Sequence, residues 1–145
     1  MLARGRGGVI NLASIVSFQP MPYLAPYAAS KAFVLSFSEA LAEELRGTGV
    51  RVTAVAPGVT ETGFADVAGS HHPESRLPHL QSARVVRAGL RAHDRGRTLK
   101  VVGGFYFFLT IACRFTPRAV LRRMMERLYR PPRRPRSSSP EPSST

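Results

Sequence analysis

From Val9 to Ala13 an apolar, β-favouring run lies between glycines and Ser14, the pattern of a buried strand. From about Ala28 to Arg46, Ala32, Phe33, Phe37, Leu41 and Leu45 recur at helical spacing with Glu39, Glu43 and Glu44 between them, which predicts an amphipathic helix. Gly47-Thr48-Gly49 stops it, and VRVTAVAPG follows as a second buried strand ended by Pro57 and Gly58. Strand, helix, strand at this spacing is a parallel crossover unit. From Val59 to about Gln81 the periodicity fails; three of the four histidines (His71, His72 and His79) and two prolines fall here, which predicts a long loop of the kind that carries function. Ser82 is placed to cap a second helix, SARVVRAGLRAHDRG, and TLKVVGG reads as a third strand. The pattern is α/β with a parallel sheet.

At 145 residues and 43% hydrophobic content, the chain has room for one domain with a real core. The net charge of +12 raises anionic partners, but nine arginines lie between Arg114 and Arg136, where Glu126 is the only acid. Residues 1–104 therefore read as the folded domain and residues 105–130 as an apolar and basic helical extension. Residues 131–145, rich in Pro, Ser and Arg, are expected to be disordered. The run FYFFLTIAC falls short of the roughly 20 apolar residues of a spanning helix. After Pro117, Val120, Leu121, Met124, Met125 and Leu128 mark one helical face and arginines fill the rest. That segment suits a core-covering helix or one lying on an anionic membrane surface. No nucleic-acid-reading module accompanies the charge. Cys113 stands alone, so no intrachain disulfide forms, and its apolar surroundings suit a buried small hydrophobe. With no signal-peptide-like run at the start, the reading is cytoplasmic, with peripheral membrane contact left open.

The candidate chemistry lies between Ser14 and Lys31. Tyr27 falls near the start of the first helix and Lys31 one turn later, so both side chains share a face. Ser14 leaves the C-terminal end of the first strand, beside the ligand crevice of open parallel sheets. A phenol with a reference pKa of roughly 10 is a poor base at neutral pH, and a neighbouring ammonium favours the phenolate. A serine hydroxyl could hold a carbonyl or alcohol oxygen beside it, a plausible relay for proton transfer. The loop histidines lack close carboxylate or cysteine company and are not read as metal ligands.

The order INLAS, YAASK, VTAVAPGVTET resembles the short-chain dehydrogenase/reductase family, strongly over residues 8–62 and more weakly to about Gly104. The resemblance implies a Rossmann-like doubly wound sheet and hydride exchange between NAD or NADP and a small-molecule ketone or secondary alcohol. It makes Ser14 the substrate-orienting serine, Tyr27 the general acid/base and Lys31 the group that lowers the tyrosine pKa and binds the nicotinamide ribose. Pro57, Gly58 and Val59 would shape the nicotinamide site, with Thr60 and Thr62 near the carboxamide and phosphates. The basic, aromatic-rich extension resembles that of members acting on lipid-like substrates. The family's glycine-rich βαβ start and its further catalytic asparagine have no counterpart here: Gly5, Gly7 and Gly8 precede a strand, whereas a phosphate loop follows one. The chain thus reads as the C-terminal half of the fold, expected to bind a dinucleotide weakly alone. The alternative is a catalytically silent fragment binding membrane or a partner chain through its basic segment; a homo-oligomer is also left open.

Overall fold

The computed structural model describes residues 1–61 and 77–130. Its centre is a three-stranded parallel sheet of β1 (Gly7–Leu12), β2 (Val50–Pro57) and β5 (Leu99–Val102), in the order β1-β2-β5. The middle strand is the most apolar, and Thr53, Ala54, Val55 and Ala56 are all buried, as a strand covered on both faces requires. The apolar run of β1 suggests equal burial, but β1 is an edge strand and leaves Ile10 and Leu12 exposed. A short parallel pair, β3 (Thr60–Glu61) and β4 (Leu80–Gln81), brackets the expected loop; its interior, with His71 and His72, lies outside the described residues. Residues 131–145, expected to be disordered, also lie outside them.

Helix α1 (Ala25–Glu44) carries Pro26 in its first turn, where a missing N–H costs nothing. Its buried face corrects the sequence reading. Ala28, Leu35 and Ser38 are buried, whereas Phe33 and Phe37 are exposed and stack on each other with centroids 5.8 Å apart. Small residues let the helix backbone approach the sheet. Ser38 is fully buried because it accepts from Asn11 Nδ2 at 2.9 Å and donates to the Val34 carbonyl at 2.6 Å, so both its polar roles are met.

Helix α2 (Ser82–Asp94) packs Val85, Gly89 and Ala92 inward. A Cβ at Gly89 would come within 2.9 Å of Val55 Cγ2, so this close helix–sheet approach needs glycine. Ser82 does not cap the helix; Gln81 holds the cap position, and the Ser82 hydroxyl donates to Glu61 O at 2.8 Å. The side chain is spent joining the helix to β3. Near the far end, the Thr53 hydroxyl donates to Arg97 O at 2.8 Å and lies 3.0 Å from His93 Nδ1. With that proton committed, His93 is the donor through Nδ1–H.

The apolar run after β5 forms α3 (Gly104–Phe115), and α4 (Arg118–Tyr129) follows across Thr116 and Pro117. Tyr106, Thr110 and Cys113 face inward from α3, and Leu121 and Met125 from α4. Only part of the apolar face expected for α4 is covered: Val120, Met124 and Leu128 are exposed. Met125 joins Met21 and Ala28 in a second core against the start of α1.

Candidate active site

Ser14 lies two residues beyond β1 and caps a 3₁₀ turn, Ile15–Phe18. Its Oγ accepts from Val16 N at 3.3 Å, and its own N–H donates to Ser17 Oγ at 3.2 Å. Ser17 Oγ then donates to the Lys31 carbonyl at 2.9 Å. The turn carrying Ser14 is thereby tied to the turn of α1 carrying Lys31. Ser14 is buried, and its hydroxyl donates to no described residue.

Lys31 Nζ donates to the Leu12 carbonyl, the last of β1, at 2.9 Å and lies 5.8 Å from the centroid of the half-buried Tyr27 ring. That separation is within cation–π range. Spacing along one helix brings Tyr27 and Lys31 together, and the Leu12 bond fixes the pair over the end of the strand. The ammonium has three protons, of which Leu12 takes one. Ala13 N donates to Val55 O at 2.8 Å, so Ser14 and Pro57 leave adjacent strands at the same edge of the sheet.

There the chain turns through Pro57, Gly58 and Val59. Val59 O accepts from Leu80 N at 2.8 Å, and the Thr60 hydroxyl donates back to Gly58 O at 3.0 Å. Thr60 thus braces the turn, while Thr62 lies outside the described residues. Beneath the turn sits Tyr106, 1% exposed, whose hydroxyl donates to Pro78 O at 2.6 Å. Its ring occupies the space that a Cβ on Gly58 would take. Burial pushes its phenol above the usual range, so it is held as a neutral donor. This residue joins the Pro-Gly turn to the returning end of the loop, and nothing in its local sequence, FYFF, marked it out.

No local sequence signal singles out Gln19 either. Its Oε1 accepts from Cys113 Sγ at 2.8 Å, and its Nε2 reaches Met21 Sδ at 3.4 Å and Met125 Sδ at 3.6 Å. One amide therefore joins the segment before α1 to both α3 and α4. Burial pushes the Cys113 thiol up, consistent with an unreactive S–H donor. Two residues before α1, Tyr23 adopts φ 68°, uncommon for a bulky side chain, and donates to Glu126 Oε1 at 3.0 Å. Glu126 also accepts from Arg130 at 2.7 Å; these two partners hold its carboxyl below the usual range, Arg130 foremost. The approach to Tyr27 is thus anchored on α4.

Residues 1–72 match the family described as short chain dehydrogenase. A Streptomyces coelicolor protein named as a ketoacyl reductase is 43% identical over 74 residues, 51% of this chain and 28% of that protein. Among solved structures, a short-chain dehydrogenase from Burkholderia cenocepacia in complex with NADP superposes with a TM-score of 0.67 at 26% identity. That match covers 90% of this chain and 50% of the other. A short-chain dehydrogenase from Sphingobium yanoikuyae in complex with NADPH gives 0.63 at 28% identity, over 78% of this chain and 45% of its own. The chain thus spans about a quarter of the first relative's length and half of the Burkholderia structure's. With Tyr27 and Lys31 joined over the end of β1 in a parallel α/β sheet, and with these matches, the chain belongs to the short-chain dehydrogenase/reductase family.

Proposed function

We propose that this chain supplies the proton-transfer site of an NAD(P)-dependent oxidoreductase that interconverts a ketone and a secondary alcohol. The observation that carries the reading is the Tyr27–Lys31 pair, fixed to Leu12 O at the sheet edge beside Ser14. The residues fit a nicotinamide nucleotide: Lys31 keeps two N–H groups beyond Leu12 for a ribose, and the Pro57–Val59 turn lies on the neighbouring strand end. When bound, the nicotinamide supplies the hydride. Ser14 donates its unspent proton to the substrate oxygen and orients it. Tyr27 gives that oxygen a proton in reduction and takes it back in oxidation, and Lys31 favours the phenolate that results. Pro57, Gly58, Val59 and Thr60 shape the pocket wall, with Thr62 next in the chain. Relatives named for ketoacyl and bulky-ketone chemistry support a substrate whose carbonyl carries an apolar chain.

The test measures both binding and turnover. Saturation-transfer NMR on the full chain with NADPH and NADH should show contact to the nicotinamide ring protons, weakened by Lys31→Met and retained by Tyr27→Phe. Ketone reduction should fall by about two orders of magnitude or more in Tyr27→Phe. Equal turnover by Tyr27→Phe and wild type, or no nicotinamide contact with wild type, would overturn the assignment.

A further inference from the structure

Helix α3 is apolar on both sides. Its inner face, Tyr106, Thr110 and Cys113, is buried, yet Phe108, Ile111 and Phe115 recur at i, i+3 and i+7 on the opposite face. Phe108 is 71% and Phe115 82% exposed. A helix that is hydrophobic all round ordinarily has cover on every side, and a contiguous exposed aromatic stripe is the mark of a docking surface. The next helix repeats the feature: Val120, Met124 and Leu128, at i, i+4 and i+8, are exposed beside the covered Leu121 and Met125.

Charge identifies the occupant. Arg114, Arg118, Arg122, Arg123 and Arg127 are all exposed on these two helices. Their one acid, Glu126, is already engaged by Arg130 and Tyr23. Val120 and Met124 line a groove with Arg123 and Arg127, so apolar side chains and guanidinium groups share one face. A second copy on this surface would set arginine against arginine. A lipid bilayer with anionic headgroups accepts both components, aromatic rings at the acyl boundary and guanidinium groups at the phosphates. We infer that the outer faces of α3 and α4 bind the surface of anionic membranes, with the chain lying on the bilayer. No helix among the described residues is long and apolar enough to cross it.

Sedimentation of the full chain with vesicles tests this, comparing phosphatidylcholine alone with phosphatidylcholine containing phosphatidylglycerol, at low and physiological salt. Wild type should partition onto the anionic vesicles at both salts and only weakly onto the neutral ones. Replacing the exposed pair, Phe108→Ser with Phe115→Ser, should lower the partition coefficient about tenfold or more and make the residue of binding salt-labile. Arg123→Gln with Arg127→Gln should cost about fivefold per arginine on anionic vesicles alone. Far-ultraviolet circular dichroism verifies that the variants, all at exposed positions, keep the fold. Release of wild type at physiological salt, or equal retention of the phenylalanine variant, overturns the inference. So does a light-scattering dimer that the phenylalanine variant dissolves, since a second copy would then cover the stripe.

Discussion

Gly58→Ala adds one methyl group where the geometry leaves no space. The new Cβ would overlap the Tyr106 ring, and the ring cannot swing aside: it is 1% exposed and its hydroxyl is fixed on Pro78 O at 2.6 Å. Gly58 lies outside the left-handed region, so alanine costs no backbone strain there and the penalty is purely steric. Overpacking of this kind costs roughly 1–3 kcal/mol, equivalent to about 4–12 °C in Tm for a chain of this size. Urea and thermal unfolding of wild type, Gly58→Ala, Tyr106→Leu and the double variant form a thermodynamic cycle. If the ring is the obstacle, alanine should be nearly harmless in the Tyr106→Leu background, a coupling of roughly 1–3 kcal/mol. A Gly58→Ala protein as stable as wild type, or one equally damaged with and without the tyrosine, would refute the packing described.

Cys113 should react with a disulfide reagent at pH 8 orders of magnitude more slowly in the native state than in urea, since burial raises its thiol pKa and blocks access; a fast native reaction would contradict this. Gln19→Ala should destabilise by about 1–3 kcal/mol, because it strips the buried S–H of its acceptor and opens a gap between Met21 and Met125, as denaturant titration would show. Tyr106 is neutral in the fold with a raised pKa, so its stabilisation is complete below the unfolded value of about 10 and fades as pH rises through the folded value; Tyr106→Phe should flatten that alkaline loss in a Tm-versus-pH series. Glu126 has the opposite sign: its lowered pKa makes its contribution present above the ordinary carboxylate range and lost on acidification, an effect that added salt should shrink because the pair lies at the surface, with Arg130 exposed.

Strands β1, β2 and β5 and helices α1 and α2 were legible because apolar runs broken by glycine and proline are local signals. The pairing of Tyr27 with Lys31 was legible for the same reason, since one helical turn determines it. The face of α1 was misjudged because hydrophobicity alone favours Phe33 and Phe37 for burial. What the sheet accepts is shape, and Ala28 and Ser38 win by letting the backbones close up. Local sequence makes Ser82 a cap, but its partner, Glu61 O, lies 21 residues back in the chain, beyond the reach of a local signal.

Tyr106 and Gln19 mark where local reading ends. Pro78 is 28 residues from Tyr106, and Cys113 is 94 from Gln19; no periodicity encodes contacts at such separation. Both residues hold the segments on which Tyr27 and the Pro57–Gly58 turn depend. Helices α3 and α4 therefore do more than close the core. Through Tyr106 they set the turn at the end of β2, and through Gln19, Met125 and the Tyr23–Glu126 bond they set the approach to α1. Helix α3 also turns Phe108 and Phe115 outward, so a bilayer on its outer face would lie one helix thickness from the turn that shapes the site. A substrate bearing an apolar chain and a vesicle-bound protein are then consistent with each other, although each rests on different residues and stands or falls by a different measurement.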